Sequence, residues 1–357
     1  MAGGRGFDER SARIATLAEA IERACSMTGG RNDPRTYSLR SQDCAGLNQC
    51  SYWQFSADQL MQIDALRHYI AGAACGQPVD NLWMSARSLS ADRGYHVPAT
   101  AVFANEDVRL GLPPVLSSST GTAAHDDVAA ARRHAVLERV ERDAVAIWWY
   151  NMMAVPRLGA AVVDAALPCD FAAWLRDRRR MTWHLLAGTD LPVPAVVALS
   201  SAPDGTRPAI GASAALDVRS AVRSATLELL QGEIALVHMR RAQELTDAPE
   251  PPSLLAWSEA TNARAVPYLR GEGEAAPPSP CSFSDLVEAF DALGIDVGIV
   301  DLTRPEFGVP VVKAVSTTLR DWQPRFAPGR LYDVPVALGW RDRPLTEAEL
   351  NPVPFVI

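Results

Sequence analysis

Residues 117–150 have the sequence SSSTGTAAHDDVAAARRHAVLERVERDAVAIWWY, and they contain the pattern on which the predicted architecture rests. The run of small residues, Ser117–Ala124, is predicted to form a loop. Asp126 or Asp127 follows it, and a short acidic side chain there can cap the first turn of a helix. The apolar spacing beyond predicts a helix from about Val128 to Tyr150. The stretch is therefore predicted to be a loop that leads into a long, capped helix.

The middle of this predicted helix carries two carboxylates on one face. Glu138 and Glu141 are three residues apart, and Arg142 follows Glu138 at four residues. Side chains at these spacings are neighbours on a helix surface. Two further predicted helices, one over Ser11–Ser26 and one of about fifteen residues after Asp217, repeat the pattern with Glu19, Glu22 and Arg23, and with Glu228 and Gln231. Three helices are thus predicted to present paired oxygen ligands.

Such pairs allow two interpretations. A single Glu-x-x-Glu-Arg is usually a solvated helix face with weak salt bridges. Three copies, two of them after a small-residue loop and an Asp cap, instead indicate a shared site. Carboxylates suit Mg²⁺, Arg binds phosphate with two donors, and free N–H groups at a helix start bind phosphate oxygens. We therefore predict a Mg–nucleotide site, which is not a P-loop because the sequence contains no GxxxxGK[ST].

The composition is that of an ordinary globular protein. The chain has 357 residues, 48% of them hydrophobic and 21% charged, with a formal net charge of −8. This balance argues against wholesale disorder and against a general binder of nucleic acid or anionic membranes. The sequence has no apolar run of membrane-spanning length and no signal-peptide pattern at its start. Six cysteines without a CxxC pair predict a reduced, cytoplasmic protein.

The remaining segments alternate between strand and helix patterns, which predicts an α+β fold. Pro192 and Pro194 place one strand at a sheet edge or at its own start. Strands are predicted over Asn81–Ala104, Leu191–Leu199, Ile295–Leu302 and Val309–Val315, a helix over Ala57–Ala74, a second small-residue loop over Ile210–Leu216, and linkers over 248–253 and 271–280.

Two further expectations concern the ends of the chain. The first helix is predicted to bury the face formed by Ile14, Leu17, Ala18, Ile21 and Cys25, because these residues recur at helical spacing. We expect one domain over residues 1–357 and a Pro-rich tail over residues 322–357.

Several segments, in order, resemble one protein family. GGRGFDERSARIATLAEAIER is similar to a Gly-Lys-Gly opening with a SxxxExxER helix, and STGTAAHDDVAAARRHAVLERVERDA is similar to a central ATP-site segment. LPVPAVVAL with IGASAALDVRSAVRSATLELLQ is similar to a third segment, and DLTRPEFGVPVVKAV, RFAPGRLYDVPVALGW and LNPVPFVI resemble a C-terminal portion. The chain thus resembles the YcaO-domain proteins, most of all the D-type (streptolysin-type) subunit of thiazole/oxazole-modified microcin cyclodehydratases.

The resemblance implies a fold, a reaction and a site. The fold would have mixed β-sheets packed by helices that converge on Mg–ATP. The enzyme would phosphorylate a backbone amide oxygen with ATP, so that Cys, Ser or Thr of a ribosomal precursor peptide closes to a thiazoline or oxazoline. The implied nucleotide-binding residues are Arg5, Glu19, Arg23, Glu138, Arg142, Ser224 and Gln231, and the implied metal ligands are Glu22, Glu141 and Glu228.

The two ends of the chain depart from the family pattern. Arg5 stands where the family has Lys, and Ala15 stands where it has Ser. The chain begins almost at the opening loop, so we expect an N-terminal extension to be missing or trimmed. At the other end Pro352 and Pro354 match two positions of a PxPxP-like tail, which the resemblance brings to the active site as a candidate catalytic element, while Val356 occupies the third.

The resemblance also implies partners and leaves alternatives open. We expect a precursor peptide and a leader-binding partner protein of the C type, similar to ubiquitin-activating enzymes, and a homodimer is a further arrangement to test. Two alternatives keep the family: a thioamide- or amidine-forming enzyme, and a non-catalytic scaffold of the same complex. A third, a carboxylate-bridged metal protein, is disfavoured because the sequence lacks Glu-x-x-His pairs.

Overall fold

The strands form two five-stranded sheets in the computed structural model, which describes residues 3–39, 50–66, 68, 82–112, 116, 118–246 and 250–355. The strands are β1 (Trp83–Ser88), β2 (Gly94–Pro98), β3 (Thr122–Ala124), β4 (Arg157–Leu158), β5 (Met181–Leu186), β6 (Ala195–Ser201), β7 (Ala209–Ala214), β8 (Glu274–Ala275), β9 (Gly298–Asp301) and β10 (Val311–Val315). The first sheet has the order β2-β1-β9-β10-β3 and is antiparallel. The second has the order β7-β6-β5-β4-β8, in which only β4 and β8 are parallel.

Helices surround both sheets. In chain order they are α1 (Glu9–Cys25), α2 (Cys50–Trp53), α3 (Ala57–Gln62), α4 (Glu106–Arg109), α5 (Val128–Tyr150), α6 (Ala160–Ala166), α7 (Cys169–Asp177), α8 (Val218–Thr246), α9 (Ser253–Ala260), α10 (Pro267–Arg270), α11 (Phe283–Ala292) and α12 (Arg330–Ala337). Short 3₁₀ turns occur at Gly30–Asn32, Ala99–Ala101 and Glu347–Glu349. The α+β prediction is confirmed.

The packing of three helices decides where the carboxylates lie. Helix α8 covers β7 and β6 of the second sheet. Helix α5 packs against β10 and β3 of the first sheet and also against β7, so it joins the two sheets. Helix α1 lies on β3, against which α5 also packs. The three helices with Glu pairs are therefore neighbours around β3 and β7.

Aspartate caps begin all three of these helices. The side chains of Asp8, Asp127 and Asp217 each accept a hydrogen bond of 2.8 Å from the backbone N–H three residues later. The predicted caps Asp127 and Asp217 are thus confirmed. The predicted length of the third helix is wrong, because α8 has 29 residues rather than about fifteen. The helix packs on β6 and β7, and Ile234 and Val237 in its second half are exposed.

The two small-residue segments predicted as loops contain strands. Residues 122–124 form β3, Ala209–Ala214 form β7, and every residue in both strands is buried. Their small side chains let the strands approach the helices closely: a Cβ on Gly211 would lie 2.2 Å from the Leu229 nitrogen of α8. The loop predictions were wrong because Gly, Ala and Ser have low strand propensity, whereas close packing decides the structure here. Ser117 lies outside the described residues.

The face predicted to be buried on α1 is also partly wrong. Cys25 is buried and Ala18 and Ile21 pack against the first sheet, but Ile14 and Leu17 are 56% and 64% exposed. The helix is rotated because the side that faces β3 also carries the two glutamates of the pattern.

Other segment predictions have mixed outcomes. The strand after Pro194 is confirmed, and since β6 lies between β5 and β7, the prolines mark its start and not a sheet edge. The helix predicted over Ala57–Ala74 is interrupted, because α3 ends at Gln62. Residues 67 and 69–74 lie outside the described residues. The linker 271–280 contains β8, and residues 248 and 249 of the other linker are not described. The Pro-rich tail contains α12.

Within the described ranges, no helix combines the length and the apolarity that crossing a bilayer requires.

His184 in β5 gives a pH-dependent test of the second sheet. Its Nε2 lies 2.8 Å from the hydroxyl of Thr226, whose own proton goes to Val222 O, so the imidazole donates. Burial lowers the pKa of His184 to about 4, below its ordinary 6.5. Stability from the neutral imidazole is full above pH 6.5 and is lost as pH falls toward 4. We expect wild type to lose about 2 kcal/mol more than His184→Gln between pH 7.5 and 5 in urea unfolding. Equal pH dependence of the two proteins would contradict this.

Candidate functional site

The three capped helices bring their glutamates into one cluster. Glu22 on α1 interacts electrostatically with Glu19 and with Glu138 on α5. Glu138 and Glu141 in turn both interact with Glu228 on α8. We call these five residues the carboxylate cluster. The sequence prediction that three separated segments share one site is therefore consistent with the structure.

The N-terminal loop ties α1 to α8 across this cluster. Arg5 Nη1 donates to Glu228 Oε1 at 3.1 Å and to Gln231 Oε1 at 3.2 Å. Gly3 N donates to Glu19 Oε2 at 2.8 Å, while Gln231 Nε2 donates to Gly3 O. The loop rests directly on α1, because a Cβ on Gly4 would lie 2.1 Å from the Thr16 nitrogen. Glycine at this position lets Arg5 reach Glu228 and Gln231 on α8.

The three helices have the same spacing between the capping aspartate and the first glutamate. In each, the first glutamate of the pattern comes eleven residues after the capping aspartate: Glu19 after Asp8, Glu138 after Asp127, and Glu228 after Asp217. This spacing places each glutamate about three turns into its helix. The sequence analysis noted the caps of α5 and α8 and missed Asp8, although the same spacing in the sequence would have identified it.

The backbone donors of the site differ from those predicted. The small-residue segments were expected to leave N–H groups free at helix starts, but aspartate caps occupy those positions. The neighbouring backbone instead donates to the glutamates: Ala124 N to Glu22 and Ala212 N to Glu228, both at 2.8 Å. These strand N–H groups reach the glutamates because β3 packs against α1 and β7 packs against α8. Each cap occupies one of the four N–H groups at its helix start, and the phosphate site there stays a prediction.

Crowding raises the pKa values of three glutamates. Burial raises the pKa of Glu22 to about 7, and the charges of Glu138 and Glu19 add to the rise. Burial likewise raises the pKa of Glu141 to about 8, opposed by Arg142 and reinforced by Glu228 and Glu138. Burial and the charge of Glu228 also raise the pKa of the partly exposed Glu138, opposed by Arg142. The neighbouring arginines therefore do not fully compensate the ionised form of these carboxyl groups, and a divalent cation beside them would favour it.

Arg142 lies among these carboxyl groups. Its Nη2 donates to Glu138 Oε1 at 2.9 Å, and its Nη1 makes a short contact with Glu141. Its guanidinium carbon lies 3.3 Å from the ring centroid of Trp322. Arg23 on α1 pairs with Glu19 and is more exposed. Arg142 is thus the most buried cation of the predicted nucleotide-binding set.

The residues present fit a Mg–nucleotide. An excess of buried carboxylate calls for divalent cations, and metal ions let anionic phosphates approach glutamates. Two polar atoms near the cluster, Arg142 Nε and Thr122 Oγ1, are buried without a hydrogen-bond partner. Gly3 N and Ala212 N each donate a hydrogen bond to the glutamate sixteen residues later, Glu19 and Glu228. Thr122 occupies the equivalent position, sixteen residues before Glu138. A bound phosphate could satisfy the guanidinium donor.

The described residues contain no three His, Cys, Asp or Glu side chains arranged to hold one metal ion. This does not conflict with a Mg²⁺ site, because Mg²⁺ bound with nucleotides takes one or two carboxylates and completes its shell with phosphates and water. Arg142 and Arg5 also pull the carboxylates toward themselves.

The remaining predicted residues lie at different distances from the cluster. Ser224 is half-buried on α8, one turn before Glu228. Pro352 and Pro354 are exposed, and the carbonyl of Val353 between them accepts a 2.7 Å hydrogen bond from Trp149 Nε1. Trp149 is eleven residues beyond Glu138, which is about 16 Å along α5. The tail prolines therefore lie beside the far end of α5, and their role stays a prediction.

Sequence reasoning missed Trp322, which it treated only as the start of the tail. No spacing in the sequence relates Trp322 to Arg142, 180 residues earlier, so the contact is visible only in the structure. Asp143, in contrast, adjoins the site residues Glu141 and Arg142 in sequence but pairs elsewhere. Its carboxylate is fully buried and accepts three hydrogen bonds from Arg330.

A family comparison covers most of the chain. A family model described as YcaO cyclodehydratase, ATP- and Mg²⁺-binding, matches residues 3–320. No curated protein matches the chain.

Solved structures with similar folds add detail. A heterocyclase in complex with substrate and cofactor is 26% identical over 99% of this chain and 49% of its own, with a TM-score of 0.80. The heterocyclase TruD is 25% identical over 100% of this chain and 55% of its own, with a TM-score of 0.75. A YcaO protein from Methanopyrus kandleri bound with AMPPCP and Mg²⁺ is 21% identical over 89% and 79%, with a TM-score of 0.62. The chain spans about half the length of the two heterocyclases.

Proposed function

The chain belongs to the YcaO family, whose description names ATP and Mg²⁺ binding, and on that premise we propose that it is an ATP-dependent peptide cyclodehydratase subunit. Its substrate would be a ribosomal precursor peptide, in which a Cys, Ser or Thr side chain attacks the preceding backbone carbonyl carbon. The carbonyl oxygen takes the terminal phosphoryl group of ATP and leaves as phosphate, and the ring closes to a thiazoline or oxazoline.

The observation that carries this proposal is the carboxylate cluster with Arg142 inside it. Phosphoryl transfer is catalysed mainly by positioning and by neutralising charge on the phosphates. A cluster with excess carboxylate attracts divalent cations, and Arg5 and Arg142 beside it supply guanidinium groups for phosphate oxygens. The similarity to a heterocyclase in complex with substrate and cofactor supports the same reading.

Each predicted residue has a role within this proposal. Glu22, Glu141 and Glu228 would hold Mg²⁺, which supplies charge neutralisation at the phosphates when bound. The side chains that would bind or orient the nucleotide are those of Arg5, Glu19, Arg23, Glu138, Arg142, Ser224 and Gln231. Because Arg142 is bonded to Glu138 and Glu141, metal binding there would release its donors toward the phosphates.

A partner protein is part of the proposal. In this proposal a separate polypeptide captures the leader of the precursor peptide. We propose a partner of the C type for that role. A homodimer of this chain remains compatible with such a complex.

Reconstitution tests the function. The chain, its partner, the precursor peptide and Mg–ATP are mixed, and the peptide is followed by mass spectrometry. We expect loss of one water for each ring and equal release of ADP and phosphate. Replacement of oxygen by sulfur in the peptide would instead identify thioamide formation. Nucleotide binding without any peptide modification or ADP release, with an active partner present, would contradict catalysis and favour the scaffold alternative.

Gly4→Ala tests the loop that carries Arg5. The added methyl group meets the α1 backbone, so the loop must move and Arg5 loses Glu228 and Gln231. We expect the dissociation constant of Mg–ATP to rise roughly tenfold, since hydrogen bonds to charged groups are worth about 1.5–3 kcal/mol. Gly188→Ala is the control, because a Cβ there has no heavy atom within 4 Å. Unchanged affinity in Gly4→Ala, measured by calorimetry, would remove the loop from the site.

A further inference from the structure

We propose that Trp322 is a positioning residue that holds the Arg142 guanidinium in place while Glu138 and Glu141 exchange it for the bound Mg–nucleotide. This inference rests on the proposed function, since it concerns the same nucleotide site. It goes beyond it by naming a residue outside the three acidic helices and a step at which that residue acts.

The contact itself is close and shielded. The guanidinium carbon of Arg142 lies 3.3 Å from the centroid of the Trp322 ring, within the range of a cation–π interaction. The Arg142 side chain is only 11% exposed, so water screens the contact little. Trp is the aromatic residue that binds cations best. The indole therefore provides a strong attachment for Arg142 that involves neither carboxylate.

Trp322 is itself fixed from the other side. Its carbonyl accepts a 2.6 Å hydrogen bond from the hydroxyl of Tyr150, at the end of α5. Its ring packs against Phe355 with centroids 5.4 Å apart, and Phe355 is buried on Trp149 as well. The indole is thus held by groups remote from the carboxylates, and it can stay in place when the ligands around Arg142 change.

The exchange of partners explains why such an attachment is needed. Both terminal nitrogens of Arg142 bond to glutamates. A bound Mg–nucleotide would compete for the same carboxylate oxygens, and an arginine that lost both partners would regain its rotamers. Binding the phosphates would then require it to be ordered again, which weakens affinity. The indole contact involves neither of the two carboxylates, so it can persist in both states and keep Arg142 ordered.

Two substitutions separate this role from simple packing. Trp322→Phe keeps an aromatic face, whereas Trp322→Leu keeps apolar bulk without one. With the full chain and Mg–ATP in calorimetry, we expect Trp322→Leu to raise the dissociation constant about tenfold. Trp322→Phe should stay within about threefold of wild type. The exposed Trp340 gives the matched control, and Trp340→Leu should leave binding unchanged.

A double variant distinguishes the contact with Arg142 from a packing role of Trp322. In Arg142→Gln the guanidinium is absent, so adding Trp322→Leu should not weaken Mg–ATP binding further, although it should lower the melting temperature as it does in wild type. Equal loss of affinity in both backgrounds, or wild-type affinity in Trp322→Leu, would overturn the positioning role alone. Failure of the wild-type chain to bind Mg–ATP would overturn the proposed function together with it.

Discussion

Glu228→Gln is expected to lower the Mg–ATP affinity of the chain and the ATP turnover of the reconstituted complex by about a hundredfold or more. The amide oxygen can still accept from Ala212 N, so the strand–helix contact survives, but the charge is lost. Removing one partner from a buried, hydrogen-bonded charge pair costs about 2–5 kcal/mol, and 1.4 kcal/mol corresponds to a factor of about ten. Calorimetry gives the affinity, and phosphate release gives the turnover.

The control for this variant lies on the same helix. Glu244→Gln makes the same chemical change on α8, sixteen residues beyond Glu228, at an exposed position. We expect its affinity and turnover to match wild type. Circular dichroism of both variants should be unchanged. If Glu228→Gln bound Mg–ATP as tightly as Glu244→Gln, Glu228 would have no part in the site.

The second large effect is expected on stability. Asp143 is fully buried and accepts hydrogen bonds from the side chain of Arg330 and from Arg320 N. Asp143→Ala would leave the 7% exposed Arg330 side chain with only the partly exposed Asp190 as a partner. Breaking a buried ion pair from one side typically costs about 3–5 kcal/mol. We expect a loss of that size in urea unfolding.

A surface ion pair provides the comparison. Arg87 and Asp92 are 3.9 Å apart, and both side chains are largely exposed. Because solvent screens such pairs, Asp92→Ala should leave the unfolding midpoint unchanged. If Asp143→Ala unfolded at the same urea concentration as wild type, the buried pair would not stabilise the fold. The comparison also distinguishes the structural Asp143 from its neighbours Glu141 and Arg142.

Local chemistry made part of this arrangement predictable. Asp126 or Asp127, and Asp217, are predicted as caps because Asp is a preferred N-cap residue before an apolar-periodic segment, and the structure selects Asp127 of the first pair. The Glu pairs could be found because their three-residue spacing fixes a shared helix face. Repetition of one pattern in three segments then indicated a common site, and that inference needed no knowledge of the packing.

Long-range packing decides what could not be predicted. The strands β3 and β7 consist of small residues, whose role is to let α5 and α8 approach, and this role has no local signature. Ile14 and Leu17 were assigned to the core by hydrophobicity, but α1 turns toward the side that carries Glu19 and Glu22. Trp322 reaches Arg142 from a segment 180 residues later, so only the folded chain reveals it.

The central claim is that α1, α5 and α8 jointly hold the metal of a Mg–nucleotide. A crystal structure with Mn²⁺ in place of Mg²⁺ and a non-hydrolysable ATP analogue tests it most directly, because Mn²⁺ gives an anomalous signal at its own position. We predict anomalous peaks about 2.1 Å from carboxylate oxygens contributed by all three helices, with phosphates between the peaks and Arg142. Nucleotide bound with its metal on a single helix, or outside the carboxylate cluster, would contradict the claim.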